Sequence, residues 1–539
     1  MRDVARSSVN SRRGLENRSL HGRIRRDHHQ PRQSLRVQSK LSVIDLFAGP
    51  GGLGEGFASF TDTSKRHSFD IRLSAEKDPF AQQTLELRTF LRAFRDESGL
   101  PREYAEFLRG RLSREQLFAH HPERALQARE HARPFELGEP NRKTLEERLD
   151  ALRLDRDRTV VIGGPPCQAY SLAGRSRNGA KGDWSLESDH RSHLYREYLH
   201  VLAHVQPVAF VMENVKGLLS ARLNGESLFH RILEDLGDPV RALGGRGLRR
   251  RYRIVPIVQS EDTSTPSLFV DEGTLSPSSF IVRAEQHGVP QARHRVILVG
   301  VCETTPHKPQ LRLKGGKTRT VRDAIGAMPH LRSGLSGGED GRDKWLTTLR
   351  DARKTAWWGE IDRNVARCIR DALDKACDQM LEREVLMVRA GSRGPTVVNH
   401  QTRGHMPEDL HRYLFAAAWA ECHEISPTLR DYPPSLLPEH ANIKQALARG
   451  HFGDRFRVQV WDSPSTTVVS HISKDGHYYI HPDAAQCRSL TVREAARLQT
   501  FPDDYWFCGP RTAQYHQVGN AVPVTLARQI AELVYAHVT

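Results

Sequence analysis

Between residues 41 and 300, apolar runs alternate with amphipathic stretches. The runs LSVIDLFAG, FDIRLSA, TVVIGG, PVAFVMEN and HRVILVG are short and continuous, as in strands that are buried on both faces. Helical patterns such as LGEGFASF lie between some of them. Buried strands that alternate with helices predict an α/β fold, in which a mostly parallel sheet is covered by helices on both faces.

The amino-acid composition and the hydrophobic pattern change along the chain, and these changes predict its domain organisation. Residues 1–40 are rich in Arg, Ser, Asn and Gln and predict a disordered basic arm. Residues 41–329 carry the strand pattern, with a charge-rich helical insertion at about 88–150. Residues 330–484 are rich in Pro, Gly, His and Arg and predict a smaller second domain built from short elements. Residues 485–539 return to helical spacing and complete the first domain.

The charge balance favours a polyanionic partner. Lys and Arg number 80 against 65 Asp and Glu, which leaves a net charge of +15 over 539 residues. A basic chain of this kind suits nucleic acid first, although a soluble protein without such a partner can have the same balance.

Cysteine usage and hydropathy point to the cytoplasm. The seven cysteines are scattered and form no CxxC pair, which argues against a disulfide framework or a zinc site and indicates a reducing compartment. No apolar run approaches the roughly 18 to 20 residues of a membrane span. The basic N-terminus also lacks the apolar core of a secretory signal. We therefore expect neither a metal ion nor a membrane as partner.

The glycine cluster DLFAGPGGLGEGF predicts a nucleotide-type ligand. Gly49, Gly51 and Gly54 fit the pattern G-x-G-x-x-G, and Glu76 ends the second apolar run. In this arrangement backbone N–H groups face the ligand at a helix N-terminus, and a carboxylate accepts bonds from ribose hydroxyl groups. The pattern does not separate NAD from S-adenosylmethionine, and a tight turn between strand and helix also needs glycine.

The stretch GGPPCQAYSLAG places Cys167 behind a stiff corner at the end of an apolar strand. A lone cysteine is most often a small buried apolar residue. Open α/β sheets bind ligands at the carboxyl ends of their strands, however, and this position makes Cys167 a candidate nucleophile. The polar sequence that follows, up to His190, predicts a loop that closes over a substrate.

Two further sets of polar residues lie at strand ends. Glu213 and Asn214 end the run VAFVMEN, where a carboxylate would face the same crevice. Gln291, Arg293 and Arg295 alternate at the start of another strand, so that all three are predicted to point to one face. Buried arginines need acceptors or anions, and a structural salt bridge is the alternative to a role in a site.

Read in order, the motifs resemble those of the cytosine-5 DNA methyltransferase family. The matching blocks are DLFAGPGGLGEGF, AEKDPFAQQT, GGPPCQAYS, MENVKGLL, QARHRV, TVREAARLQTFPDDY and QVGNAVP. The resemblance implies a Rossmann-like, S-adenosylmethionine-dependent methyltransferase sheet with a target-recognition domain at 330–484. It implies sequence-specific methylation of carbon 5 of a cytosine in double-stranded DNA. The base must be flipped out, because the duplex hides the target atom.

The same resemblance implies a cellular context. We expect a monomer in the nucleoid-associated cytoplasm of a bacterium, with a role in restriction-modification or phage defence, beside a nuclease or other defence proteins.

The resemblance also implies a role for each matching residue. Cys167 would add to carbon 6 of the cytosine, Glu213 would bond the ring nitrogen and share a proton, and Arg295, with Arg293, would hold the base. The cofactor-binding positions would be Asp45, Phe47, Gly49, Gly51, Gly52, Glu76, Pro166, Asn520 and Val522, and the DNA-contacting positions Gln168, Ser171, Asn214 and Gln291.

Two positions depart from the family pattern. The acidic residue that usually contacts the adenine is hidden by the insertion, and Lys77 stands where an aromatic side chain often stacks on that ring.

Three alternatives remain at this stage. An NAD-dependent oxidoreductase would explain the glycine cluster but not the cysteine corner or the Gln/Arg/Arg strand. An RNA cytosine-5 methyltransferase would use identical ring chemistry, and the large second domain favours duplex DNA instead. A catalytically silent DNA-binding homologue would not need Cys167, Glu213 and both arginines.

Overall fold

A central sheet of seven strands organises the computed structural model of the protein. The strands of the described chain are β1 (Leu41–Leu46), β2 (Phe69–Ala75), β3 (Thr159–Gly163), β4 (Ala209–Val215), β5 (Arg222–Leu223), β6 (Glu226–Ser227), β7 (Tyr252–Val255), β8 (Ile281–Arg283), β9 (His294–Cys302), β10 (Gly334–Leu335) and β11 (Gly404–His405). The sheet has the order β2-β1-β3-β4-β9-β7, with β8 also paired to β9. Strands β1 to β4 are parallel, and β9 is antiparallel to each of its neighbours β4, β7 and β8. The mostly parallel sheet predicted from the apolar runs is therefore confirmed.

The structure describes residues 40–95, 99–166, 193–223, 226–247, 249–259, 276–306, 308, 311–379, 381–386, 397–439, 443, 447, 455–474 and 476–539. The chain divides into two units, Met1–Ser39 and Lys40–Thr539, and every described residue belongs to the second.

Helices follow most strands and extend through the region after β9. Those in the described residues are α1 (Gly52–Ser59), α2 (Pro79–Arg92), α3 (Arg102–Leu108), α4 (Arg114–Ala119), α5 (Pro122–His131), α6 (Arg142–Ala151), α7 (His193–Val205), α8 (Leu228–Gly237), α9 (Pro239–Ala242), α10 (Val321–Ile325), α11 (Arg342–Asp351), α12 (Arg363–Asp378), α13 (Pro407–His423), α14 (Val492–Leu498), α15 (Arg511–Asn520) and α16 (Val524–Val538). None of the helices in these described ranges is long and apolar enough to cross a bilayer.

Apolar side chains on both faces of the sheet hold the first part of the fold together. Along β4, Val211 joins the cluster formed with α1 and α16, whereas Phe210 and Met212 join the cluster formed with α6, α7 and α8. Such alternation is what the pleat of a strand dictates. Because each fully buried side chain of this size contributes about 1.5 to 3 kcal/mol, the two-sided burial fixes the register of the strands.

Close glycine contacts bring the C-terminal helix onto the sheet. A Cβ atom at Gly56 of α1 would lie 2.3 Å from the Cβ of Ala527 in α16, and one at Gly52 would lie 2.3 Å from the carbonyl oxygen of Val522. Only residues without side chains allow this approach. The C-terminal segment therefore reaches the same end of the sheet as the glycine turn after β1.

The region 330–484 contains longer helices than the sequence predicts. Helix α12 has 16 residues and α13 has 17, although we expected short elements. In α12 the buried positions are Val365, Ile369, Ala372, Leu373 and Ala376, which form one apolar stripe. Abundant Arg, Asp and Lys on the other face lower the mean hydropathy and hide this helical spacing in the sequence. The proposed division of the chain at 330 and 484 stays a prediction.

Candidate active site

The strand order predicts a ligand-binding crevice at the carboxyl ends of β1, β2 and β3. Strand β1 lies between β2 and β3 in the sheet. The connection after β1 leads to β2 on one side of it, and the connection after β2 crosses to β3 on the other side. Open α/β sheets bind their ligands at such a switch point. The glycine turn, Glu76 and the corner that precedes Cys167 all follow these strands in the sequence.

The turn after β1 has a strained backbone. Phe47 has a φ of 54°, Gly49 of 56° and Gly51 of 92°, all in the left-handed region. Glycine adopts this conformation readily, whereas a residue such as Phe47 loses about 1 to 3 kcal/mol. The hydroxyl group of Tyr505 donates to the carbonyl of Pro50 at 2.5 Å and helps to hold the turn. Strain at a turn that faces a crevice is typical of a ligand-binding loop.

Glu76 connects β2 to the glycine turn. One carboxylate oxygen accepts from the N–H of Gly49 at 2.9 Å, and the other accepts from the N–H groups of Lys77 and Asp78 at 2.9 and 2.8 Å. A carboxylate has about four lone-pair positions, so Glu76 can still accept a bond from a ligand hydroxyl group. No described atom lies within 4 Å of an ideal Cβ at Gly49, which leaves space beside the carboxylate. The turn and Glu76 therefore fit the adenosine part of S-adenosylmethionine.

Asp45 lies beneath this turn and not at its surface. It is 1% exposed, and neither carboxylate oxygen has a hydrogen-bond partner among the described residues. An ideal Cβ at Gly54 would lie 2.5 Å from one of these oxygens, so the carboxylate rests against the first turn of α1. Burial raises the pKa of Asp45 to about 7, with Arg92 opposing the shift and Glu76 adding to it. Asp45 is therefore packed against α1, and its role in cofactor binding stays a prediction.

The structure reveals an acidic residue that the sequence did not assign. The N–H of Phe135 donates to the carbonyl of Glu76 at 2.9 Å, and Pro134 forms a parallel bridge with Glu76. The carboxylate of Glu136 consequently lies 3.3 Å from the ammonium group of Lys77. The signal in the sequence is the stretch PFEL, an acid within a short apolar run before β3, and the helices from α3 to α5 obscure it.

The C-terminal segment closes the crevice from the other side. Asn520, at the end of α15, is exposed, and its amide group lies 2.9 Å from the imidazole of His516. Val522 is 9% exposed and contacts Gly52 through its carbonyl oxygen. Asn520 and Val522 thus lie beside the N-terminus of α1, where the cofactor-binding residues were predicted.

An ion pair lies at the next strand end. The guanidinium of Arg295 lies 2.9 Å from the carboxylate of Glu213, and the two side chains are 13% and 15% exposed. Val215 is opposite Arg295 in the antiparallel register of β4 and β9. Glu213 lies two residues before Val215 and shares its face, so the pair is a diagonal contact across the two strands. The pair joins a carboxylate and a guanidinium at this end of the sheet.

The cysteine corner approaches this pair. An ideal Cβ at Gly164 would lie 3.0 Å from a carboxylate oxygen of Glu213, so any side chain at that position would crowd the pair. Pro166 is half-buried and is the last described residue of the corner. The predicted positions Cys167, Gln168 and Ser171 lie outside the described residues. Asn214 is 4% exposed and its side-chain oxygen accepts from the N–H of Val215.

Gln291 and Arg293 precede β9 and contact a different segment from Arg295. They meet residues 465–474, which we call the strap. The side-chain oxygen of Gln291 accepts from the N–H of Val468 at 2.9 Å, and Arg293 donates to the carbonyl of Val468 at 2.8 Å. Gln291 is fully buried and Arg293 is 3% exposed. The three side chains therefore have different partners: Arg295 pairs with Glu213, whereas Gln291 and Arg293 hold the strap, and their common face stays a prediction.

The charge of Arg293 is affected by its surroundings. Burial lowers the pKa of its guanidinium to about 9, the neighbouring charge of Arg295 lowers it too, and Glu213 opposes the shift. Arg293 stays protonated at neutral pH and keeps its bond to the strap.

Comparisons with known proteins agree with this arrangement. The sequence profile of the C-5 cytosine-specific DNA methylase family matches residues 141–238 and 275–536, more than half of the chain. The type II methyltransferase M.Bpa9945I of Bacillus paralicheniformis is 34% identical over 516 residues, which cover 92% of this chain and 98% of that protein. M.AgeI of Thalassovita gelatinovora, also a type II methyltransferase, is 28% identical and covers 70% and 82%. The DNA (cytosine-5-)-methyltransferase M.ApeKI of Aeropyrum pernix is 28% identical and covers 70% and 81%.

These matches decide between the alternatives that the sequence left open. The methyl donor of this family is S-adenosylmethionine, and the alternative of an NAD-dependent oxidoreductase is not supported. DNA, and not RNA, is the substrate that the family description and the relatives indicate. The predicted fold class and reaction are confirmed: the chain belongs to the family of C-5 cytosine-specific DNA methylases.

Proposed function

We propose that the protein methylates carbon 5 of one cytosine within a short recognition sequence of double-stranded DNA, with Cys167 as the nucleophile. The observation that carries this proposal is the Glu213–Arg295 pair at the edge of the crevice. A ring that is attacked at carbon 6 develops negative charge at its carbonyl oxygen and at its ring nitrogen. An arginine beside a carboxylate matches both positions, because one donates hydrogen bonds and the other can hold a proton.

The chain supplies a nucleophile and a proton-handling group for this chemistry. The thiolate of Cys167 forms a bond to carbon 6, while Glu213 bonds the ring nitrogen and Arg295 donates to the base carbonyl. Carbon 5 becomes nucleophilic as a result. After methylation, a base removes the proton on carbon 5, the bond between sulfur and carbon 6 breaks to release the thiolate, and the proton on the ring nitrogen returns to Glu213.

The cofactor contributes an electrophilic methyl group on a sulfonium centre. The glycine turn, Phe47 and Glu76 would hold its adenosine part, and Asn520 with Val522 would cover it from the C-terminal side. The three backbone bonds to Glu76 support this assignment, because they orient the carboxylate before a ligand arrives.

We further propose that Glu136 contacts the exocyclic amino group of the adenine. We expect Glu136→Gln to weaken S-adenosylmethionine binding about 5- to 20-fold, because a charge-assisted bond to the amino group becomes a neutral one. Isothermal titration of the cofactor in the absence of DNA measures this change. Glu130→Gln is a suitable control, since that exposed carboxylate pairs with Arg133 on the same insertion. Equal affinities of Glu136→Gln and the wild type would remove Glu136 from the pocket.

The reaction is tested by mapping 5-methylcytosine. Unmethylated DNA is incubated with S-adenosylmethionine and the protein, and bisulfite sequencing then locates the methylated cytosines. We expect methylation at one short motif with the wild type, and a loss of at least about 10³-fold for Cys167→Ala, because the covalent route is closed. Cys368→Ala, a half-buried cysteine of α12, is the matched control and should keep full activity. Methylation by Cys167→Ala at the wild-type level would refute the assignment, and a parallel reaction with transfer RNA tests the RNA alternative.

The relatives support a bacterial context. Because two of them are named type II methyltransferases, we propose a role in restriction-modification or phage defence, beside a nuclease, with the protein acting as a monomer on DNA in the nucleoid.

A further inference from the structure

Tyr479 lies buried between the strap and the rest of the fold, and its hydroxyl group bonds to the strap at two points. It donates to the carbonyl of Thr467 at 2.9 Å and accepts from the N–H of Val469 at 3.1 Å. The residue is 4% exposed, and its ring belongs to an apolar cluster with Val468 and Ile472 of the strap. Burial raises the pKa of Tyr479 to about 12, so the hydroxyl group keeps the proton that it donates.

Three side chains, two of them from the segment before β9, thus bond to one short stretch of backbone. Tyr479 bonds to the carbonyl of Thr467 and the N–H of Val469, while Gln291 and Arg293 bond to both polar groups of Val468. Buried backbone groups need partners, and each of these bonds satisfies one. The strap therefore has one well-defined position relative to the start of β9.

This position is coupled to the ion pair of the crevice. Arg293 lies two residues before Arg295, and the charge of Arg295 lowers the pKa of Arg293. If the strap moved, Arg293 would lose its acceptor at Val468 and would become a buried charge without that partner. Such a loss is unfavourable, so a displaced strap would draw Arg293 with it and disturb the adjoining Arg295–Glu213 contact.

We propose that Tyr479 is a positioning residue for methyl transfer. Its hydroxyl group fixes the strap against Gln291 and Arg293, and thereby keeps the Arg295–Glu213 pair in its geometry when DNA engages the region 330–484. The inference rests on the proposed function, in which this pair holds the target base. It adds a residue of the region 330–484 to the side chains that fix the position of the Arg295–Glu213 pair.

The variant Tyr479→Phe tests the inference because it removes the hydroxyl group and keeps the ring. We expect kcat for DNA methylation to fall about 5- to 50-fold, since the N–H of Val469 is left without its partner and the strap is less well fixed. The KM for S-adenosylmethionine and its affinity without DNA should change less than about twofold, because both described hydrogen bonds of the Tyr479 hydroxyl group are to the strap. Steady-state kinetics and cofactor titration provide both values.

Tyr432→Phe is the matched control. Tyr432 is 3% exposed in the same region, and its hydroxyl group donates to a single carbonyl, that of Phe456, at 3.2 Å. It makes no contact with the strap in the described hydrogen bonds. We expect this variant to lose some thermal stability and to keep its kcat.

A second variant keeps the test possible if Tyr479→Phe does not fold. Thr467→Val removes another bond of the strap, from the hydroxyl group of Thr467 to the carbonyl of Ala292 at 2.5 Å, and conserves the shape of the side chain. If both variants act through the strap, the loss of kcat in the double variant is smaller than the product of the two single losses. If Tyr479→Phe does not fold, a selective loss of kcat in Thr467→Val carries the test.

The outcomes separate the two levels of the proposal. No 5-methylcytosine from the wild type would refute the proposed function. An active wild type together with an unchanged kcat in Tyr479→Phe would overturn the positioning role alone. An equal loss in Tyr432→Phe, or a parallel change in the KM for S-adenosylmethionine, would also overturn it, because either result indicates a general structural effect.

Discussion

Replacing Glu213 by glutamine is expected to lower the rate of methyl transfer about 10²- to 10⁴-fold, the usual contribution of a positioned acid-base group. The amide has nearly the shape of the carboxylate but cannot hold the proton that the ring nitrogen needs. It also leaves the guanidinium of Arg295 without its charged partner at 2.9 Å. The expected loss is therefore in kcat, because both effects grow as charge develops on the ring.

Single-turnover measurements with a labelled methyl group test this expectation. The affinity for S-adenosylmethionine should stay within about twofold of the wild type, since the described ion pair of Glu213 is with Arg295 and not with a predicted cofactor-binding residue. Glu197→Gln is the matched control: this carboxylate of α7 pairs with Arg142 at 2.6 Å and is 7% exposed. Loss of this ion pair in Glu197→Gln should reduce the thermal stability of the protein and leave kcat nearly unchanged. A rate for Glu213→Gln within about threefold of the wild type would contradict acid-base catalysis by this residue.

The sheet could be predicted because its signals are local. Each of the runs in β1, β2, β3, β4 and β9 is continuous and buried, and the helical spacing of α1 and α16 is preserved in the sequence. The location of the glycine turn and of the polar strand ends at one edge of the sheet then follows from topology, since parallel strands bring their carboxyl ends to the same edge. Family membership was accessible for the same reason, because the motifs lie at these ends.

Contacts between distant segments could not be predicted in the same way. The position of Glu136 beside Lys77 depends on a bridge between Pro134 and Glu76, which the intervening helices conceal. The different partners of Arg293 and Arg295 depend on where the strap and Glu213 lie, which alternation along one strand does not predict. Neither result has a local signature, because each is decided by packing against a segment far away in the sequence.

Replacing Gly519 by alanine is the second prediction with a large effect. The sign of the change in stability distinguishes helix propensity from steric overlap with the strap. The residue lies near the end of α15, where helix propensity alone predicts that alanine stabilises the protein by up to about 1 kcal/mol. A Cβ atom at this position, however, would lie 2.3 Å from the nitrogen of Ser470 and from the carbonyl carbon of Val469. Both atoms belong to the backbone of the strap, which Tyr479 and Arg293 hold in place. The clash therefore cannot be relieved by rotating a side chain.

We expect Gly519→Ala to destabilise the protein by about 1 to 3 kcal/mol or more, as overpacking does in well-packed interiors. The single-turnover rate of methyl transfer should also fall under conditions in which the variant is still folded. The reason is that Asn520 is the next residue and that the displaced strap carries the acceptor of Arg293. Thermal unfolding and single-turnover rates, measured side by side, test both statements. Gly359→Ala is the control, since none of the atoms that the structure describes lies within 4 Å of an ideal Cβ there. An increase in the stability of Gly519→Ala would show that propensity outweighs the contact, and would mean that α15 and the strap are free to move apart.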